Sequence, residues 1–184
     1  MKKNSKFNIR LQFFYILIRL FNLSYHLFFP RPTRKILEKI AGFRIGAGSS
    51  IQSVRFFSFG KLNVGKNTII NSGCYLDNRR GITIGNHVVI AHDSKIYTLG
   101  HDINDLNFKT KGSSVTIHDY VVVFANVLIM PGVTLKKGSV VLPGSVVTKD
   151  VAEMTVVGGN PAATIKYREK LHLNKKVIHY WLSI

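Results

Sequence analysis

The chain has 184 residues, 46% of them hydrophobic and 11% aromatic. That is one domain's length with ample material for a core, and it excludes a disordered chain. A single cysteine, Cys74, excludes an intramolecular disulfide and argues against a cysteine zinc site. Lys and Arg number 26 against nine Asp and Glu, a net charge of +17. Such an excess suits nucleic acid, an anionic membrane or a polyanionic ligand without choosing among them. It is uneven: residues 1–44 carry +9 with Glu38 as their one acid, and residues 45–184 carry +8.

The first element is a basic helical arm over residues 1–41. Phe7, Leu11, Phe14, Ile18, Phe21, Tyr25 and Phe28 recur in steps of four and three, which predicts a helix. Beside them runs a polar stripe of Asn8, Gln12, Tyr15, Arg19, Asn22 and His26. The other positions are largely apolar, including Phe13, Ile16, Leu17, Leu20 and Leu27, so the apolar face is broad and must be covered. Arg19 interrupts the run and no small-residue cleavage site follows it, which disfavours a signal peptide. The same arginine near the middle disfavours a spanning helix. Two readings remain. One is a helix lying in the plane of an anionic membrane, flanked by Lys2, Lys3, Lys6 and Arg10 before it and Arg31, Arg34, Lys35 and Lys39 after it. The other is packing on the body or on a neighbouring subunit. Pro30 and Pro32 end the helix, and a short basic helix is expected over Thr33–Ala41.

From residue 42 the pattern changes to a period of six. Val64, Ile70 and Leu76 are six apart, as are Ile84, Ile90 and Ile96, and then Ile117, Val123, Ile129, Leu135, Val141 and Val147. Four residues after each comes a small or β-branched side chain, except for Arg80. A weaker start lies at Ile45, Ile51 and Phe57. Six is a multiple of two, so the repeated aliphatic always falls on the same face of a strand. Turn formers such as Gly65-Lys66-Asn67 and Gly85-Asn86-His87 separate the strands. Each hexad is then a short strand plus a corner, and stacked coils form a parallel β-helix over residues 42–163. The fold class is mainly β, with the helical arm before it and a short C-terminal helical tail, 164–184. The step from Ile96 to Ile117 is 21 residues, which extrudes residues 99–114 as a loop carrying His101, Asp102, Asp105, Lys109 and Lys111. A stiff rod broken by one polar loop is expected to hold its site there.

These repeats, the extruded Tyr97-Thr98-Leu99-Gly100-His101, the segment Pro143 to Asp150 and Gly158-Gly159-Asn160-Pro161-Ala162 resemble the hexapeptide-repeat acyltransferases. Over about residues 42–168 the chain is most similar to sugar and polysaccharide O-acetyltransferases of the maltose, galactoside and colanic acid type. The resemblance implies a left-handed coil, a homotrimer with sites between subunits, and acetyl-CoA as co-substrate without a metal. It implies His101 as general base, Asn71 as a residue holding the acceptor, and the Ala125 amide as receiver of the thioester oxygen. Pro143, Thr148, Lys149 and Lys166 match positions that contact CoA. The sequence departs from the family pattern at Val122, Phe124, Leu142, Pro143 and Ala163.

The chemistry asks for a base on a sugar hydroxyl, and imidazole exchanges protons near neutral pH. A backbone carbonyl or Asp102 is expected to fix the tautomer of His101. Asp77, Asn78 and Asp102 are candidates for hydrogen bonds to the acceptor, with Asp77 and Asn78 equally readable as turn residues. His87, His92 and His118 fall on turns and have no metal-site spacing. Cys74 sits in a crowded small-residue slot, which favours a buried structural role over a thiol nucleophile. The reading is acetyl transfer from acetyl-CoA to a sugar hydroxyl in surface polysaccharide biosynthesis. The acceptor is a sugar or lipid-linked glycan, met in the cytoplasm at the inner face of the membrane, with no nucleic-acid partner. The alternative within the fold is N-acetylation of an amino-sugar nucleotide; outside it, a basic scaffold that binds membrane or nucleic acid.

Overall fold

The computed structural model describes residues 8–26 and 31–169. Its body is a left-handed parallel β-helix with three faces and about six turns. Face A stacks Arg44–Ile45, Leu62–Val64, Ile82–Ile84, Val115–Ile117 and Thr134–Leu135. Face B stacks Ser50–Ile51, Ile69–Ile70, Val89–Ile90, Val122–Val123, Val140–Val141 and Thr155–Gly159, closed by the antiparallel strand Ala162–Tyr167. Face C stacks Arg55–Phe56, Tyr75–Leu76, Lys95–Ile96, Leu128–Ile129 and Val146–Val147.

The hexad dictates this. The twelve repeated aliphatics are all buried, none more than 5% exposed. They lie in register from coil to coil, as in Ile70↔Ile90 and Ile90↔Val123. Of the residues four places on, Arg80 and Gly100 alone escape burial, both where the chain leaves the regular coil. The corners between faces A and B are tight: a Cβ on Gly65 would come within 2.6 Å of the Gly85 carbonyl. Two residues later the chain turns through the left-handed region, at Asn67 and His87, and Tyr120 does so at the matching corner of the next coil. The His87 ring lies flat on Tyr120 (centroids 5.0 Å apart), so His87 is a corner residue.

Two details differ from expectation. In the first coil Phe56, not Phe57, is the core residue, paired with Leu76. The corner Gln52–Arg55 is one residue shorter than its successor, so the phase slips between Ile51 and Phe56. The expected C-terminal helix does not start at 164, because Thr164 to Tyr167 belong to the strand that closes face B. Residues 170–184 of that tail lie outside the described residues.

The arm forms α1 (Ile9–His26) and α2 (Arg31–Ile40). Helix α1 lies across the start of the coil and buries Ile18, Phe21 and Tyr25. Phe21 and Tyr25 meet Phe56 edge-on or tilted, and Phe21 also meets Phe43 and Phe59. The packing reading of the arm therefore holds for one face of α1. Asn22 completes the cap: its amide accepts from the Phe56 N–H (2.8 Å) and donates to the Phe56 carbonyl (2.8 Å). A side chain thus replaces the missing neighbouring strand at the open edge, where unpaired backbone groups are costly. The Tyr25 hydroxyl donates to Glu38 (2.8 Å), and burial together with that carboxylate pushes its pKa well up.

Candidate active site

Strand order places each candidate residue on an edge of the prism. Asn71 follows Ile69–Ile70 on face B, and Ala125 and Pro143 follow the later strands of that face. All three lie on the edge between faces B and C, in adjacent columns. The columns are tied by Asn71 N–H to Ile90 O, Ala91 N–H to Val123 O and Gly144 N–H to Ala125 O. Asp77, His101, Thr148 and Lys149 instead follow strands of face C and lie on the edge between faces C and A. Lys166 stands on the closing strand opposite Val156, exposed. Within one chain the structure therefore gathers Asn71, Ala125 and Pro143 on one edge and the base candidate with Thr148 and Lys149 on another.

The extruded loop is a hairpin. Gly100–His101 pairs antiparallel with Thr110–Lys111. Asp102 accepts from Lys111 Nζ (3.0 Å) and the Asn104 N–H (3.1 Å), and Asp105 pairs with Lys109 (3.4 Å). His101 is exposed and its ring stacks on Phe108 at 4.6 Å and 11°. Asp102, expected to fix the His101 tautomer or to meet the acceptor, makes these bonds within the hairpin. Its carboxylate helps shape the hairpin, and the Lys111 ammonium holds it below the usual carboxylate range. Phe108 is the ring that positions the imidazole. It was absent from the sequence reading, because an aromatic seven residues away in a loop gives no periodic signal.

Asp77 and Asn78 are fully buried. Asp77 accepts two bonds from Arg79 (both 2.8 Å), which hold that guanidinium 4.0 Å over the Phe57 ring. Asn78 bonds the Ser58 N–H and the carbonyls of Ser58 and Gly60. This differs from the expected contacts with acceptor hydroxyls: a buried carboxylate or amide must be satisfied internally, and here both are. On the other edge, Phe124 projects 42% exposed beside Ala125, with Leu142 in the next coil of the same column. The Ala125 N–H has no acceptor among the described residues. Among those residues no group of three His, Cys, Asp or Glu is placed to hold a metal ion.

Cys74 is buried, and its thiol donates to the Ala91 carbonyl (3.2 Å). Burial pushes its pKa up to about 11. The fold thus favours the neutral thiol. Its contribution to stability is complete below the unfolded thiol value of about 8.5 and is lost as pH rises toward 11. At about pH 8, a thiol reagent is expected to label Cys74 only after denaturation, and Cys74→Ser to leave turnover unchanged. Fast labelling of the native protein with loss of activity would restore the thiol-nucleophile reading.

No family model matches the chain. The chain is 32% identical over 136 residues to a putative colanic acid biosynthesis acetyltransferase of Escherichia coli, covering 73% of this chain and 75% of that one. It is 28% identical over 143 residues to the galactoside O-acetyltransferase of the same organism, covering 76% of this chain and 68%, about two thirds, of that one. Among solved structures, a hexapeptide-repeat acetyltransferase of Vibrio cholerae complexed with acetyl-CoA superposes with a TM-score of 0.79. It shares 26% identity and covers 92% of this chain and 93% of that one. With the six-residue coil, the His101 hairpin and these relatives in agreement, the chain belongs to the hexapeptide-repeat acetyltransferases.

Proposed function

We propose that this protein transfers an acetyl group from acetyl-CoA to a hydroxyl of a sugar in surface polysaccharide biosynthesis. What supports the reading best is the His101 hairpin, an exposed imidazole held on a ring where the chain leaves the coil. The neutral imidazole takes the hydroxyl proton as the oxygen attacks the thioester carbon. The Ala125 N–H receives the developing oxyanion, and the tetrahedral intermediate collapses by breaking the carbon–sulfur bond. The imidazolium returns the proton to the CoA sulfur, giving the acetyl ester and the free thiol. Asn71 holds the acceptor; Pro143, Thr148, Lys149 and Lys166 line the path of CoA.

The proposed assembly is a homotrimer with sites between subunits, and the separation of the two edges on one chain supports it. The edge carrying His101 and the edge carrying Asn71 and Ala125 lie apart on one chain, so juxtaposing two copies completes the site. The acceptor is a sugar or lipid-linked glycan. The protein works in the cytoplasm at the inner face of the membrane, with an anionic membrane as partner of residues 1–40. No helix among the described residues is long and apolar enough to cross a membrane. The test is thiol release from acetyl-CoA with a panel of glycan acceptors, alongside mass spectrometry of surface glycan with and without the gene. Acceptor-dependent release and loss of one acetyl mass per repeat unit are expected. Release with amino-sugar nucleotides alone and an unchanged glycan would overturn the assignment.

A further inference from the structure

Helix α1 has two apolar stripes. Phe14, Ile18, Phe21 and Tyr25 turn toward the first coil. Ile9, Phe13, Ile16, Leu20 and Leu23, in steps of four and three, turn away from it and are 54–71% exposed. Five large apolar side chains in one exposed row mark a surface that another phase covers. Charge names the phase. Helix α1 contains no acid, and Glu38, the one acid before residue 45, is buried against Tyr25. An apolar row in a cationic surround fits an anionic bilayer, with the helix lying in the interface.

Between the two stripes runs the polar one. It borders a groove of about 560 Å³ between α1 and the outer side of face C. Arg19 and Arg55 are its cations, Gln12, Tyr15 and Tyr75 add polar groups, and no acid lines it. Arg55 rests on the Tyr75 ring at 4.7 Å, which holds the guanidinium in place. A helix lying with its outer stripe at the acyl boundary puts its flank at headgroup depth, where the phosphates are. The groove wall then continues from Tyr75 to Tyr97 (5.6 Å), four residues before His101.

We propose that the groove between α1 and Arg55 binds the phosphate ester of an anionic lipid, with the outer stripe of α1 in the acyl boundary beside it. The proposal rests on the membrane association given above. The phosphate belongs either to a bilayer phospholipid or to the carrier of a lipid-linked glycan. In the second case the sugar would run from the groove toward the hairpin.

The test is flotation of the full chain with three vesicles: phosphatidylcholine alone, with phosphatidylglycerol, or with polyprenyl phosphate. Wild type is expected to prefer the anionic vesicles, and Phe13→Ser/Leu20→Ser to lose binding to all three. Arg19→Gln/Arg55→Gln is expected to lose roughly 30-fold or more on an anionic vesicle, from two cations near the surface. Lys35→Gln/Lys39→Gln, outside the groove, controls for charge alone and is expected to lose several-fold less. A selective loss on polyprenyl phosphate assigns the glycan carrier; a loss on both anionic vesicles assigns the phospholipid. Equal losses in the groove and control pairs would overturn the groove while leaving membrane binding standing. No vesicle binding by wild type, or a changed oligomeric state with binding intact in the stripe variant, would overturn the membrane reading itself.

Discussion

His101→Ala is expected to lower kcat for acetyl transfer by about 10²–10⁴-fold, the usual contribution of a general base. Few other residues carry so much of the reading on so little scaffold. The imidazole sits on a two-stranded hairpin, pressed against Phe108 and braced by the Asp102–Lys111 and Asp105–Lys109 pairs. None of those contacts belongs to the coil's core, so the variant should fold and remain available for measurement. The candidate CoA contacts, Ala125, Pro143, Thr148, Lys149 and Lys166, lie outside the hairpin. The KM for acetyl-CoA is therefore expected to stay near wild type while kcat falls. Steady-state thiol release under varied acetyl-CoA and acceptor separates the two. Near wild-type turnover in the variant would remove His101 as the base.

The second large effect concerns the coil itself. Ile90→Ala is expected to destabilise the protein by about 2–5 kcal/mol, the range for removing a buried aliphatic from a core that cannot close over the cavity. Ile90 has no exposed surface and lies between Ile70 and Val123 on face B. Each coil contacts only its neighbours, so the loss falls on two interfaces at once. Lys95→Ala, on the outer side of face C, is the matched control and should stay within about 0.5 kcal/mol. Urea unfolding reads both; equal midpoints would mean that the aliphatic column does not govern stability.

Much of this architecture was legible in the sequence because six is a multiple of both the strand period and the corner spacing. The twelve aliphatics, the extruded loop and the crowded slot of Cys74 all followed from that count. The first coil was harder to read. Arg55-Phe56-Phe57-Ser58-Phe59 offers an aromatic at three positions, and a corner one residue short shifts the core to Phe56. The roles of Asp77 and Asp102 were not legible, because a carboxylate's partner is chosen by tertiary geometry. Arg79 pairs with the first and Lys111 with the second. The separation of Asn71 from His101 was present but uncounted: grouping hexads in threes would have put them on different edges. The broad apolar face of α1 showed that something must cover it, and one sequence could not show that two coverings divide the helix.

The Asn22 clamp on Phe56 has a consequence at the scale of the cell. A coil whose first turn offered bare N–H and C=O groups would be a template for the last turn of another molecule, and such contacts propagate without closing. Asn22 occupies that template at Phe56 at one end, and the strand Ala162–Tyr167, folded back antiparallel, occupies face B at the other. The stack is thus covered on face C at its start and on face B at its end. Two hydrogen bonds from one asparagine amide stand where a further layer of face C would begin, and they help a protein made of interchangeable layers remain a discrete particle.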